Sequence, residues 1–349
     1  MARVAINGFG RIGRATFKLV ADSPDLELVA LNDLVPPDNL AYLLQYDTVY
    51  GRYPQKVEHG KESLSVNGKD YRILSEKDPA LLPWKDLGAE IIFECTGVLN
   101  KRADLEKHLR AGAKYVILSA PTKSEDVPTV VHGVTVPGHA TPQIISCASC
   151  TTNCIAPVVE IVGRRIGIKK ATMTTVHAYT ATQSVVDSPN KKMRRGRAAA
   201  ANLVPSSTGA AVATTRVLPQ YQGKFDGVAI RTPVPVGSIA DIVFVTARAT
   251  TVEEVNRIFR EEAQTKRYQG IVAVTEDPIV SSDIIKQSYA SIIDLALTQV
   301  VDGDLLKVMS WYDNEWGYAS QMVREAQRVA RAEFSPETVF RKGSGDFIA

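Results

Sequence analysis

Cysteine is scarce in this chain, with four residues in 349, and three of them crowd between Cys147 and Cys154. So thin and uneven a set excludes a disulfide framework and points to thiol chemistry in a reducing compartment. Also missing is any uninterrupted apolar run of the length a membrane span requires. The opening Met1-Ala2-Arg3-Val4-Ala5-Ile6 breaks at Asn7-Gly8, too soon for the core of a secretion signal. A cytoplasmic protein with no membrane partner is the expectation. Charge of one sign is absent as well: 41 basic and 38 acidic residues leave +3, so no global field argues for nucleic acid as the main partner. His59, His108, His132 and His139 show no metal-ligand spacing with cysteines or carboxylates, and no metal is expected. The chain carries no internal repeat and no low-complexity tract.

What is present alternates. Residues 3–7 read as a short buried strand, Gly8 to Gly13 as a glycine turn, Arg11 to Ala21 as a helix, and Leu26 to Asn32 as a second strand. Further apolar runs at Ile91–Phe93, Tyr115–Leu118 and Gln143–Ile145, with a helical Ala103 to Ala111 among the intervening segments, predict a mostly parallel, doubly wound sheet. After Cys150 the pattern changes. A helix from about Thr151 to Ile166 precedes longer β-rich runs at 172–176, 227–231, 240–247 and 305–312. The fold class expected is α/β: a Rossmann-type domain over 1–149, then an α+β catalytic domain on a larger mixed sheet over 150–316. Ala319, Met322, Val323, Ala326, Val329, Ala330 and Phe334 trace a last helical stripe. The polar tail from Ser335, with Lys342-Gly343-Ser344-Gly345-Asp346, reads as mobile.

Gly8-Phe9-Gly10-Arg11-Ile12-Gly13 is a GxGxxG that follows a strand and opens a helix, and Asp33 ends the next strand 20 residues later. That context is what the dinucleotide fingerprint requires. Glycines let backbone approach a pyrophosphate, the helix start offers N–H donors, and the acid accepts from ribose hydroxyls. Asp33 repels a 2′-phosphate, which favours NAD over NADP.

Cys150 lies where an apolar strand gives way to Thr151-Thr152-Asn153, at a helix N-terminus whose field stabilises a thiolate and later an oxyanion. His177 follows 27 residues later, and thiol and imidazole are the parts of an acyl-transferring nucleophile. Cys154 reads as packing. Cys147 and Cys150 also form a Cys-x-x-Cys, so a regulatory redox pair is weighed beside the catalytic reading. Thr180, Thr182, Arg194, Arg195, Arg197, Ser206-Ser207-Thr208-Gly209 and Arg231 supply the hydroxyls, amides and guanidinium groups that bind phosphate oxygens. The basic run from Lys191 to Arg197 lacks interleaved aromatics, so stacking on bases is not supported.

These motifs together resemble the phosphorylating glyceraldehyde-3-phosphate dehydrogenases. The match runs in order through Asn7–Arg14, Ala148–Cys154, Thr174–Ala178, Ser207–Ala211 and Trp311–Tyr318, almost the whole chain. The resemblance implies Cys150 as nucleophile and His177 as base and later acid. It implies NAD-dependent oxidation of glyceraldehyde 3-phosphate to 1,3-bisphosphoglycerate through a thioester that inorganic phosphate cleaves, in glycolysis or gluconeogenesis. It further implies Thr180, Thr182 and Arg231 for the substrate's phosphate, and Ser149, Thr151, Arg195, Thr208 and Gly209 for the attacking one, with Arg194 and Arg197 as rivals for the arginine role. Gly8, Gly10, Arg11, Ile12, Gly13, Asp33, Lys77, Ser119 and Asn314 match cofactor contacts. The resemblance also implies a homotetramer, and a last helix, about 317–334, that returns to the NAD domain.

Three positions depart from the family pattern: Cys147 where asparagine is usual, Pro235-Val236-Gly237-Ser238 where Pro-Asn-Val-Ser is common, and Lys77 in place of arginine. The nearest rival reading is an erythrose-4-phosphate dehydrogenase, a family that tends to lose the Ser207-Thr208-Gly209 signature. A nucleotide-binding redox or RNA-interacting role would add to catalysis rather than replace it, because Cys150 and His177 are both present.

Overall fold

Short runs such as Val4-Ala5-Ile6 and Ile91-Ile92-Phe93 are apolar on every residue because both of their faces are covered, the condition of an inner parallel strand. The computed structural model, which describes residues 1–135 and 141–334, places these runs in the first of two units. The expected mobile tail lies outside the described residues.

In chain order the first unit contains β1 (Ala2–Asn7), α1 (Arg11–Ala21), β2 (Leu26–Asn32), α2 (Pro37–Gln45), β3 (Val57–His59), β4 (Ser63–Val66), β5 (Lys69–Leu74), β6 (Ile91–Glu94), α3 (Arg102–Arg110), β7 (Tyr115–Leu118) and β8 (Ile144–Ser146). They form one sheet in the order β3-β4-β5-β2-β1-β6-β7-β8. From β5 to β8 every pair is parallel, whereas β3, β4 and β5 add an antiparallel edge that the sequence reading did not foresee. The chain leaves β1 to build β2 on one side and later returns to build β6 on the other. That reversal opens a crevice at the carboxyl ends of β1 and β6, where α/β sheets bind ligands.

The second unit holds α4 (Cys150–Arg165), β9 (Ile168–Ala178), β10 (Val204–Ser207), α5 (Ala210–Val217), β11 (Phe225–Thr232), β12 (Ser238–Thr246), α6 (Val252–Ala263), β13 (Val272–Thr275), β14 (Ser291–Val301), β15 (Leu305–Tyr312) and the start of α7 (Trp316–Phe334). Its sheet is mixed, in the order β10-β11-β9-β12-β15-β14-β13. It has seven strands against eight in the first sheet, but β9 and β14 run to 11 residues each. One face packs under the helices: Met173, Ile242, Val308 and Ile293 meet Ile155, Val159 and Val162 of α4 and Phe259 of α6 in one core. On the other face Ile230, Val176, Ile239, Trp311 and Ile292 stand opposite one another in register as a single apolar row. Helix α4 carries Pro157 in its interior, which removes a backbone bond at a cost of about 3 kcal/mol. Near-complete burial of the helix around it offsets that loss.

The division falls between Cys147 and Ala148, and Val130–Thr135 joins the second unit, with Val131 and Val134 in its core. Residues of α7 from Met322 onward group with the first unit. There Gln327 Nε2 donates to Ser23 Oγ at 3.0 Å and Arg331 pairs with Asp25 at 2.7 Å.

Candidate active site

The crevice of the first unit is a cavity of about 430 Å³ whose lining includes Gly8, Gly10, Asp33 and Lys77. Gly8 sits at φ +93°, and a Cβ there would lie 2.6 Å from the Thr96 nitrogen. A Cβ on Gly13 would lie 2.0 Å from the Gly8 carbonyl oxygen, so this glycine lets α1 press against the end of β1. A Cβ on Gly10 would meet nothing within 4 Å, because this position borders open space. Gly10 is also the N-cap of α1, and no side chain caps that helix. The start of α1, from Arg11 to Gly13, thereby turns its backbone N–H groups and the positive end of its dipole toward an anion. Arg11 turns its guanidinium to Asp47 at 2.5 Å, so its place in an anion site is a backbone one. Asp33 accepts from Phe9 N at 2.6 Å and from Val35 N at 3.0 Å, which fixes both carboxylate oxygens at the cavity wall. Ser119 follows β7 and donates its N–H to the Glu94 carbonyl at 3.0 Å. An uncapped helix start, an open glycine and an acid one strand over fit a dinucleotide.

In the second unit Cys150 is the first residue of α4. Ser149 caps the helix, accepting from Thr152 N at 3.1 Å. Ala148 before it is held left-handed at φ +54°, which costs an alanine roughly 1–2 kcal/mol, and Tyr318 OH donates to its carbonyl at 3.1 Å. Strand β9 carries His177 on the helix-covered face, and its Nε2 stands 3.4 Å from Cys150 Sγ. His177 Nδ1 lies 2.7 Å from the Ala178 carbonyl. A proton on Nδ1 shared with that oxygen leaves Nε2 the lone pair that accepts from the thiol, whereas the Arg231 Nη1 donor 2.9 Å from the same Nδ1 favours the opposite tautomer. Arg231, paired with His177 in the β11–β9 register, donates Nη1 to the same carbonyl at 3.1 Å.

Burial, then the Arg231 and Arg195 charges, brings the His177 pKa down to about 3 against the pull of the Ala178 bond. Burial pushes the Cys150 thiol up, and Arg231 and the Thr151 contacts oppose it only in part. The helix start therefore does not outweigh burial for the isolated thiol. Each group alone is held neutral, but moving the proton across 3.4 Å makes an ion pair in which each charge serves as the other's partner.

The phosphate candidates gather around these two residues. Thr180 and Thr182 hydroxyls lie 2.9 Å apart, Arg195 Nη1 donates to Thr182 Oγ1 at 2.9 Å, and its Nε donates to Ser206 Oγ at 3.1 Å. Burial, then Arg231, lowers the Arg195 pKa. Of the rivals, Arg197 is committed to Asp187 at 3.0 Å, whereas Arg194 shares with Arg195 a cleft lined also by Lys192, Met193, Ser206 and Ser207. Thr208 and Gly209 open α5, with Thr208 Oγ1 accepting from Ala210 N. Thr151 differs from expectation in one respect. Its hydroxyl is engaged within the protein, by Tyr312 OH at 2.9 Å and by the Cys150 thiol. Asn314, expected at the cofactor, lies in this unit, and its Oδ1 accepts from Gly237 N and Ser238 Oγ.

Several supporting residues escaped the sequence reading. Tyr312 OH joins Thr151 to Thr175, at 2.9 and 2.8 Å, beneath the His177 ring. Gln183 accepts from Thr180 N and braces the threonine turn. Only the Trp311–Tyr318 motif hinted at the tyrosine. The departure at Gly237 has a local reason: φ is +96° and a Cβ would lie 2.3 Å from the Ser281 carbonyl oxygen. Cys147 is buried, which pushes its thiol well above the usual range. Among the described residues the four cysteines form no disulfide.

The chain is similar along its length to known proteins. The family profile described as "Glyceraldehyde 3-phosphate dehydrogenase, NAD binding domain" matches residues 2–102, and the one described as "Glyceraldehyde 3-phosphate dehydrogenase, C-terminal domain" matches 149–314. A glyceraldehyde-3-phosphate dehydrogenase of Streptomyces coelicolor is 48% identical over 92% of this chain and 96% of its own. That of Thermotoga maritima is 50% identical over 93% and 97%. Glyceraldehyde-3-phosphate dehydrogenase 1 of Bacillus subtilis is 46% identical over 94% and 98%. An NAD-type crevice, a thiol–imidazole pair among anion donors, and this similarity over nearly the whole length agree: the chain belongs to the glyceraldehyde-3-phosphate dehydrogenase family.

Proposed function

We propose that the protein is an NAD-dependent, phosphorylating glyceraldehyde-3-phosphate dehydrogenase, converting D-glyceraldehyde 3-phosphate and inorganic phosphate to 1,3-bisphosphoglycerate. The observation that carries this reading is the 3.4 Å approach of His177 Nε2 to Cys150 Sγ at the start of α4.

His177 takes the thiol proton as Sγ attacks the aldehyde carbon, giving a hemithioacetal whose oxyanion faces the Cys150 N–H and the imidazole N–H. When bound, NAD supplies the hydride acceptor that oxidises this carbon. A thioester to Cys150 remains. A phosphate oxygen then adds to its carbonyl carbon, the C–S bond breaks, and the thiolate recovers its proton from His177. The substrate's phosphate dianion beside Arg231 and Arg195 offsets the positive charges that depress His177, so substrate binding itself makes the base stronger.

Thr180, Thr182 and Arg231 are the substrate-phosphate donors in this reading. The Ser149 and Thr151 region, Arg195, Thr208 and Gly209 receive the attacking phosphate. Asn314, its oxygen already committed to Gly237 N and Ser238 Oγ, would offer its amide N–H to the nicotinamide carboxamide of bound NAD. The Ser207-Thr208-Gly209 turn at the α5 start supports a second phosphate and weighs against an erythrose-4-phosphate dehydrogenase. NADH formation from the triose, with and without inorganic phosphate and against erythrose 4-phosphate, tests the reading. Sustained phosphate-independent turnover, or turnover only with the tetrose, would refute it.

A homotetramer is part of the proposal. Val185, Val186, Met193 and Leu203 are strongly exposed on the loop after β9, and the Ile230–Ile292 row lies outside the core beneath the helices. Both features fit burial against further copies. Solution mass decides it. No described helix is long and apolar enough to cross a membrane. Cytoplasmic residence is proposed from the thiol chemistry, which needs reducing surroundings.

A further inference from the structure

Beneath the cofactor cavity runs a chain of buried polar side chains for which the reaction has no use. Glu94, at the end of β6, is completely buried, as is His108 on α3. Its Oε2 accepts from Asn7 Nδ2 at 2.6 Å and faces His108 Nε2 at 3.1 Å. Its Oε1 accepts from Thr96 N at 2.8 Å and Thr96 Oγ1 at 2.5 Å. The Trp84 indole N–H donates to His108 Nδ1 at 3.0 Å. An indole only donates, so Nδ1 must hold the lone pair, and the proton of a neutral His108 sits on Nε2, pointed at Glu94. Four donors thus surround one carboxylate, and three of them, Asn7 Nδ2, Thr96 N and His108 Nε2, can only donate.

The network continues toward the ligand. Asn7 Oδ1 accepts from Asn32 Nδ2 at 2.6 Å, Asn32 Nδ2 also donates to the Glu76 carbonyl, and Asn32 Oδ1 accepts from Glu76 N at 2.9 Å. Asn7, Asn32, Glu76 and Thr96 all line the cavity. Because Glu94 can only accept, Asn7 must turn its NH2 inward and its oxygen to Asn32, and Asn32 must then clasp the Glu76 backbone beside Lys77. Burying a carboxylate for stability alone is a poor bargain compared with packing apolar groups. Everything this one orders is cavity wall.

We propose that Glu94, oriented by His108 and Trp84, is a positioning residue for NAD: it sets the hydrogen-bond polarity of the cavity floor and so the affinity for the cofactor. The inference rests on this cavity being the NAD site.

The test is NAD binding by calorimetry on the full chain, with Michaelis constants and the thermal midpoint alongside. Glu94→Gln places an NH2 among donors, and we expect the NAD Kd and KM to rise about tenfold while kcat and the triose KM stay within about twofold. The double variant Asn7→Asp with Glu94→Gln restores one donor–acceptor pair and keeps the buried charge but leaves the introduced NH2 against His108 Nε2–H, so thermal stability and NAD affinity recover together and in part, with the NAD Kd about threefold above wild type. Trp84→Phe serves if the glutamine variant does not fold. It frees His108 Nδ1, so 15N NMR loses the pure Nε2–H signature and the NAD Kd rises about threefold. Unchanged NAD affinity in either single variant, or a swap that regains thermal stability without regaining NAD affinity, overturns the proposal. If wild type binds no NAD, the cofactor reading fails before the inference is reached.

Discussion

Helices α1 and α4 both begin at a proposed reaction partner, yet they begin in opposite ways. Helix α1 starts from Gly10 with no side-chain cap and open space beside it. Helix α4 starts from Ser149 with its cap made, behind a left-handed Ala148 whose carbonyl is tied by Tyr318. The first, with no side-chain cap, offers its positive end to a large ligand that must lie along the backbone. The second ties its Thr152 amide to its own cap and so holds one sulfur atom in place against Nε2 of His177, with the Cys150 amide kept for the oxyanion. A helix start that binds differs from one that reacts in whether the chain or the ligand supplies the cap.

The largest break in that comparison is Cys150→Ala. NADH formation should fall by about 10⁴-fold or more while NAD binding by calorimetry stays intact, because the sulfur belongs only to the reacting start. His177→Asn should lower kcat by about 10²–10⁴-fold. It should also move Cys150 alkylation by iodoacetamide to higher pH, because a thiol already pushed up by burial loses its proton acceptor. Gly8→Ala attacks the binding start: the strained φ and the Thr96 backbone contact should cost about 2 kcal/mol or more in urea unfolding and weaken NAD with it.

A smaller effect concerns acid. The unfolded chain binds a proton on His177 near 6.5, the folded chain only near 3, so this contribution is complete above 6.5 and lost as pH falls toward 3. The loss of urea stability across that window should be shallower in His177→Asn than in wild type. Smallest of all, Ser149→Ala removes the cap and should cost about 1 kcal/mol in urea unfolding. No comparable cap exists to delete at Gly10.

Much of the first unit was legible because its signals are local. Helix α1 starts and stops where the glycines and the apolar stripe predict, and β2 and β7 match to the residue. The hairpin of β3 to β5 was missed because strands of three to six residues with polar alternation carry little apolar signal. In the second sheet β14 was missed although it is long, since it is buried on both faces at one end and exposed at the other. At the site, residue types announced Cys150, His177 and the phosphate donors. Direction did not: nothing local says that the Thr151 hydroxyl meets a tyrosine 161 residues on, or that Arg197 is taken by Asp187 while Arg195 is not. The Glu94–His108–Trp84 chain was invisible for the same reason, because its members meet only when three separate elements pack.

The four thiols differ in a way that reaches beyond turnover. Cys95 and Cys154 are pushed up to about 12 and Cys147 well above the usual thiol range, all by burial, while Cys150 alone among the four has an imidazole at hand to take its proton. An electrophilic dye, cross-linker or covalent inhibitor offered at neutral pH therefore finds a single address on the folded chain. With no cysteine replaced beforehand, that atom becomes a ready-made attachment point for a spectroscopic reporter.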